Sequence, residues 1–350
     1  MNKRCTAGTI VLEKGWVLPT RITVARAEPG RLAHFPDIVK LTDGRLLATY
    51  REGEGHVRSD GRILVVESAD GGETWAQPRV AVDGPWDDRD PKLVRLADGT
   101  VVLSYFVIDW STQPRHTVHG THVRRSTDGG RTWSEPAVVG TAMSGDGLTA
   151  WACSHGAAAE LDGGDLLLPL YGKRPGDTWQ RATVVRSRDG GRTWPAGGEV
   201  LLAAAEGVHF QEPTLTVIDG QVVALIRTTV GHAYLSRSTD GGRSWTTPEP
   251  TDMPASSHHA LPLSTGEVLI TYGDLSERFS PHRETVGRLV TRPWETWDGY
   301  ADVQLYDSGH PDQANPSSVE VAPGRFLTLG FDVRAATVVG VFSSRADYAR

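Results

Sequence analysis

Cysteine is nearly absent: Cys5 and Cys153 are the only two in 350 residues, too few for a disulfide framework or a thiolate zinc site. Long apolar runs are missing as well, and none approaches the length of a membrane-spanning helix. The opening Met1-Asn-Lys-Arg-Cys-Thr-Ala-Gly lacks the apolar core of a signal peptide, so a cytoplasmic protein is expected. Positive charge is in short supply, 36 Lys and Arg against 43 Asp and Glu, for a formal net charge of -7. The arginines are scattered and form no basic stripe, which argues against a nucleic-acid partner. A long amphipathic helical pattern is also lacking. What is abundant is turn chemistry, 39 glycines and 21 prolines between short Val, Ile and Leu runs, and that combination predicts an all-β chain.

One eight-residue pattern, Ser-x-Asp-Gly-Gly-x-Ser/Thr-Trp, occurs four times, at Ser68–Trp75, Ser126–Trp133, Ser187–Trp194 and Ser238–Trp245. The starts lie 58, 61 and 51 residues apart, so each copy marks one unit of an array whose loops differ in length. An eroded fifth copy, Thr291–Trp297, keeps the final tryptophan and loses the Asp-Gly-Gly. Asp-Gly-Gly supplies a tight reversal, Ser and Asp tie it to backbone N–H groups, and Trp covers it. The motif is therefore read as a folding device, and its tryptophans are not counted as ligand binders.

A second repeat counts the units. Six short hairpins have tips at Asp43-Gly44, Asp98-Gly99, Asp162-Gly163-Gly164, Asp219-Gly220, Thr265-Gly266 and Pro323-Gly324. Each unit reads as a four-stranded antiparallel meander with the eight-residue motif joining strands three and four. Six such sheets around an axis make a six-bladed β-propeller, predicted here as a single domain over residues 1–350. The last blade lacks a fourth strand, and Thr9–Leu12 or Arg21–Ala25 is expected to supply it and close the ring.

Strand direction sends hairpin tips and Asp-Gly-Gly turns to one face and the starts of the innermost strands to the other. The polar residues at those starts read His34, Asp90, His155, Glu212, His259 and Asn315. Convergence of six hydrogen-bonding side chains on one axis points to a site. Arg51 and Arg227 are expected on the same face at the ends of second strands, where a guanidinium suits a carboxylate. Trp110, Trp151 and Trp179 lie in or beside the adjoining loops and suit a sugar ring. Five of the ring residues, His34, His155, His259, Asp90 and Glu212, are also ligand types for a metal, but a propeller's spacing spreads them apart, so no metal or other cofactor is expected.

The four repeats are those of the Asp-box proteins, and the chain resembles the sialidase-like superfamily over nearly its whole length. Sialidases hold a substrate carboxylate with three arginines, protonate the leaving group with an aspartate and use a tyrosine nucleophile activated by a glutamate. In Gln211-Glu-Pro-Thr-Leu, Glu212 resembles the activating glutamate, and Arg227, 15 residues on, resembles the second arginine. Asp90, in Arg89-Asp-Pro-Lys-Leu, resembles the blade-two aspartate, and Arg51 an arginine of blade one. The resemblance breaks at His34-Phe-Pro, where the family has its first arginine, and at Asn315, where it has the tyrosine. Asp60, with His56 beside it, lies nearest the place of the acid, and Arg283 or Arg288 is the candidate third arginine.

The reading that follows is a glycoside hydrolase acting on a terminal, acidic sugar. Glu212 with Asp90 or Asp60 would form the carboxylate pair, one raised by burial to act as acid, with His34 and His259 sharing in proton transfer. Arg51, Arg227, Arg283, Arg89, His56, His155, Asn315, Trp110, Trp151 and Tyr272 would bind substrate. Two alternatives remain open: a lyase on an acidic glycan, using His, Tyr and Arg, and a non-catalytic propeller that binds glycan or protein.

Overall fold

The computed structural model describes residues 11–12, 16–17, 20–112 and 115–349; Cys5 and most of the first 19 residues lie outside that range. Six antiparallel sheets follow one another as predicted. Blade one comprises Leu32–Lys40, Leu46–Gly53, Arg62–Ser68 and Arg79–Val82, paired in that order from the axis outward. Blades two to five repeat the plan with inner strands Asp87–Arg95, Trp151–Ser154, Phe210–Ile218 and Ala255–Pro262. The inner strand of blade three is broken, resuming at Ala159–Glu160 beyond His155. Together the six sheets make a six-bladed β-propeller.

The second strand of each blade is buried on both faces because neighbouring blades sandwich it, which is why it reads as a continuous apolar run; every residue of Leu46–Gly53 is buried. The core divides accordingly into six main clusters, one between each pair of adjacent blades. Leu47, Val65, Leu93 and Leu103 join blades one and two, and Leu269, Leu289, Phe326 and Val341 join five and six.

Blade six, Ser317–Ala322, Arg325–Asp332 and Thr337–Ser344, receives its fourth strand from the other end of the chain. Of the two predicted candidates it is Arg21–Arg26 that pairs with Thr337–Ser344. Val11–Leu12 pairs instead with Trp16–Val17, and Thr9 and Ile10 lie outside the described residues. Val24 and Ala25 then pack with Leu46 and Leu327, closing the ring between blades six and one.

The Asp-boxes join strands three and four as expected. In the first, Ser68 Oγ donates to Asp70 Oδ1 at 2.8 Å and accepts from Gly72 N at 2.9 Å, while Trp75 Nε1 donates to Gly72 O at 3.0 Å. Both glycines are left-handed, at φ 73° and 95°. The second glycine also packs against a preceding blade: a Cβ on Gly130 would stand 2.6 Å from Leu47 Cδ2, and one on Gly242 2.4 Å from Leu167 Cδ1. Each box is thus a turn and a joint between blades.

On the opposite face the inner strands begin with a kink that recurs from blade to blade. Phe35, Asp90, Glu212, Ser257 and Asn315 all have φ between 46° and 53°, in the left-handed region unusual for residues with a Cβ. In blades one, two, four and five each opens a bulge in which two residues leave the ladder, between His34 and Asp37, Arg89 and Lys92, Gln211 and Thr214, and Ser256 and His259. Proline follows four of the five, which suits a residue with no ladder bond to give. The bulge turns the kinked residue's side chain out of the sheet and onto the mouth of the channel.

Candidate active site

At that mouth lies a cavity of about 440 Å³ into which five blade heads project: Phe35, Asp90, Glu212, Ser257 and Asn315. Three of the six predicted heads, Asp90, Glu212 and Asn315, line this cavity; His155 does not, and the other two are shifted in register. His34 is displaced by its neighbour Phe35, and His259 by Ser257, two residues earlier. His259 lies one layer deeper in the channel, half-buried and accepting from Ser318 N at 3.3 Å; desolvation pushes its pKa down to about 4, so it is neutral and takes no part at the cavity.

Three guanidinium groups line the cavity. Arg227, on the second strand of blade four, donates to Glu212 Oε1 at 2.7 Å. Arg283 donates to Asn315 Oδ1 at 2.8 Å and to Gln313 O at 3.1 Å. Arg89 lies over the rings of Phe35 and Trp110, at 4.6 and 5.7 Å. Arg288, the other candidate for a third arginine, is bound by Asp302 through two bonds of 2.9 and 2.7 Å and does not line the cavity.

Arg51 is not a free anion-binding group, contrary to expectation. Its side chain is fully buried, with Nε 2.5 Å from Asp87 Oδ1. Asp87 in turn accepts from Trp110 Nε1 at 3.0 Å and from Arg89 Nη1 at 3.2 Å. Arg51 therefore acts one layer back, holding the carboxylate that positions Arg89 and Trp110. Both equivalents, Arg51 and Arg227, sit where a second strand meets this face, and only the local partner decides which one reaches the cavity.

Two carboxylates face the cavity, and both are held ionised. Burial favours the neutral form of Glu212, but the charges of Arg227 and His155 and hydrogen bonds from Arg227 and Ser257 outweigh it and keep the pKa well below the usual range. Ser257 Oγ donates to Glu212 Oε2 at 2.9 Å, so both oxygens of this group are occupied. Asp90 is likewise lowered: burial opposes ionisation, and His155 and Arg89 overcome it. Against the expectation that burial would raise one of this pair to serve as acid, both are lowered. Asp90 differs from Glu212 in one respect, since its Oδ1 is buried with no hydrogen-bond partner.

Other predicted residues lie elsewhere. Asp60 is drawn to Arg31, 3.2 Å away, and accepts from Glu54 N at 3.1 Å, so it organises its own loop. Tyr272 is buried in the core between blades four and five, where its hydroxyl accepts from Arg278 at 3.0 Å. His155 lies behind Asp90, with Nδ1 3.6 Å from Oδ2. Trp110 and Trp151 do line the cavity, whereas Trp179 packs on His209 in a separate cleft.

Three contributors had no sequence motif. Tyr171, opposite Cys153 on the second strand of blade three, lines the cavity, and burial among carboxylates raises its hydroxyl pKa well above the ordinary value. Its register equivalence to Arg51 and Arg227 was the signal that could have found it. Ser257 carries no family signature, and Asp312 sits in the loop entering blade six. Asp312 Oδ1 and Oδ2 lie 2.9 and 3.0 Å from His56 Nδ1, and Oδ2 lies 3.4 Å from His34 Nε2.

These last three residues also bear on metal binding. The predicted ligand types His34, His155, His259, Asp90 and Glu212 form no group within ligand reach among the described residues; His34, His56 and Asp312 do, within 4.8 Å of one another. The charge of Arg51 acts on His34, that of Arg283 on Asp312, and Arg89 donates to the His56 carbonyl at 2.5 Å. With one carboxylate among three guanidinium groups, the setting opposes a dication.

Comparison with known proteins agrees with this architecture. The family described as BNR repeat-like domain matches residues 44–311. A sialidase of Micromonospora viridifaciens is 27% identical over 242 residues, which are 60% of this chain and 35% of that longer protein. A Dyadobacter fermentans protein of unknown function superposes with a TM-score of 0.79 at 25% identity, over 92% of this chain and 97% of its own. The Hadza microbial sialidase Hz136 gives 0.71 at 20% identity, over 90% of this chain and 66% of its own, a likeness of fold.

Proposed function

The chain belongs to the BNR repeat-like domain family, within the sialidase-like superfamily of propellers, and on that premise we propose that it is a glycoside hydrolase removing a terminal, carboxylate-bearing sugar. The observation that carries the proposal is the convergence of Arg89, Arg227 and Arg283 with two ionised carboxylates and an aromatic wall in one cavity. Arg227 and Arg283 hold the substrate carboxylate, and Arg89 closes the anion site from blade two. Phe35, Trp110 and Trp151 cover apolar faces of the sugar.

Water is the nucleophile in this reading. Asn315 stands where related sialidases carry a tyrosine, and it cannot supply an anionic oxygen. Asp90, which lines the cavity, takes a proton from the attacking water. Glu212, occupied on both oxygens, fixes Arg227 and offers negative charge to the oxocarbenium-like transition state. Single displacement by water inverts the anomeric centre.

The test is a screen of 4-methylumbelliferyl α-N-acetylneuraminide, β-glucuronide and neutral β-glucoside. Turnover of an acidic glycoside is expected, none of the neutral one, and Asp90→Asn should lower kcat by roughly 10²-fold or more. Activity on neutral sugars alone would discard the anion site. A lyase remains the second reading, favoured by the neutral Tyr171 hydroxyl beside the arginines; its product would be an unsaturated sugar absorbing in the near ultraviolet. Unchanged glycosides in every case would point to a binding propeller.

A further inference from the structure

With Asp90 and Glu212 both ionised, the cavity needs a separate group to protonate the leaving oxygen. We infer that His56, held by Asp312, is that group. The inference rests on the hydrolase reading above. His56 lines the cavity from the loop between the second and third strands of blade one, and its Nδ1 is within hydrogen-bond distance of both Asp312 oxygens, 2.9 and 3.0 Å. Donation from Nδ1–H to the carboxylate fixes the tautomer and leaves Nε2 as the nitrogen that exchanges a proton.

The surroundings fix that geometry from three sides. Arg89 Nη1 donates to the His56 carbonyl at 2.5 Å. Phe35 meets the imidazole edge-on, with ring centroids 5.2 Å apart, and His34 does so at 5.4 Å. His34 lies 3.4 Å from Asp312 as well, but burial pushes its pKa down to about 4, so it stays neutral. Among the other cavity groups, burial raises the Cys153 thiol and the Tyr171 hydroxyl well above their ordinary values. His116, which also lines the cavity, packs on Trp110 at 4.9 Å with no carboxylate hydrogen-bonded to it among the described residues.

The step balances as a hydrolysis. The glycosidic C–O pair leaves with the oxygen, which takes the Nε2 proton of the His56 imidazolium. A water lone pair forms the new C–O bond as its proton passes to Asp90, and solvent returns that proton to His56.

Leaving-group dependence tests the role. For whichever acidic sugar the native protein cleaves, methyl and 4-nitrophenyl glycosides are compared, because 4-nitrophenolate departs with little protonation. His56→Gln is expected to lower kcat/KM on the methyl glycoside by about 10²–10⁴-fold, and at least tenfold less on the 4-nitrophenyl one. Asp312→Asn should show the same pattern with smaller losses. Equal losses on both leaving groups would overturn the inference, as would loss of native activity to EDTA with recovery on adding Zn²⁺. Should the variants not fold, the native protein suffices: a methyl and a 4-nitrophenyl glycoside cleaved at similar rates support an internal acid, and a gap above about 10³-fold refutes it. No turnover of any acidic glycoside by the native protein fails the hydrolase reading itself, which is a separate result.

Discussion

Single residues at this site are decided by their immediate partners. Glu212 and Asp90 carry the same charge, yet one has both oxygens engaged and the other has one free. Glu212→Gln should therefore raise KM for the acidic glycoside, by loosening Arg227, as well as lower kcat, by removing charge from the transition state, while Asp90→Asn should act mainly on kcat. Steady-state kinetics on the two variants separates the roles. A different carboxylate, Asp88, shows burial winning: it accepts from Gly84 N at 2.6 Å, but desolvation raises its pKa to about 6. Because the folded value exceeds the unfolded one, this group's favourable contribution is present below about pH 4 and lost as pH rises through about 6. Asp88→Asn is accordingly expected to stabilise the fold at pH 7 by about 1–3 kcal/mol and to leave it nearly unchanged at pH 4. Thermal melts of both proteins at the two pH values check the sign.

Elements explain why the site was partly legible beforehand. In four blades the kinked residue lies nine positions before its hairpin glycine: Phe35 and Gly44, Asp90 and Gly99, Ser257 and Gly266, Asn315 and Gly324. Counting back from the turn would have placed Phe35 and Ser257 at the mouth instead of His34 and His259. Polarity points to the histidines, whereas the bulge obeys strand register and is indifferent to polarity. Asp60, Arg51 and Tyr272 misled for another reason: strand and loop position fix the side on which a residue begins, but its rotamer follows the nearest opposite charge or apolar gap. Asp312 gave no signal at all, since a loop that brings an acid 256 residues along the chain to His56 has no local pattern. The Asp-box turns were legible because the hydrogen bonds that hold them are local. Gly130→Ala, which forces a Cβ at φ 85° to within 2.6 Å of Leu47 Cδ2, should cost about 1–3 kcal/mol. Urea titration of this variant measures the loss. The box aspartates also set an acid limit: hydrogen bonds from Thr74 and Ser68 lower Asp70 to about 2, so its contribution is present above about pH 4 and lost as pH falls towards 2.

At the scale of the molecule, function depends on closure. Asp90, Glu212, Arg227 and Arg283 come from three different blades and share a cavity because the apolar clusters between adjacent blades run unbroken around the axis, the last sealed by Arg21–Arg26. Val24→Asp, a charge placed in that seam at a position 3% exposed, should lower stability by several kcal/mol and weaken activity together with it, although it lies far from the cavity. Parallel circular dichroism melts and activity assays would show the two falling in step. The chemistry itself is read most directly by following the native protein and an acidic glycoside by proton NMR during the first turnovers. The account predicts release of a saturated free sugar whose anomeric configuration is opposite to that of the substrate. A product retaining the configuration, or one carrying a carbon–carbon double bond, would contradict it.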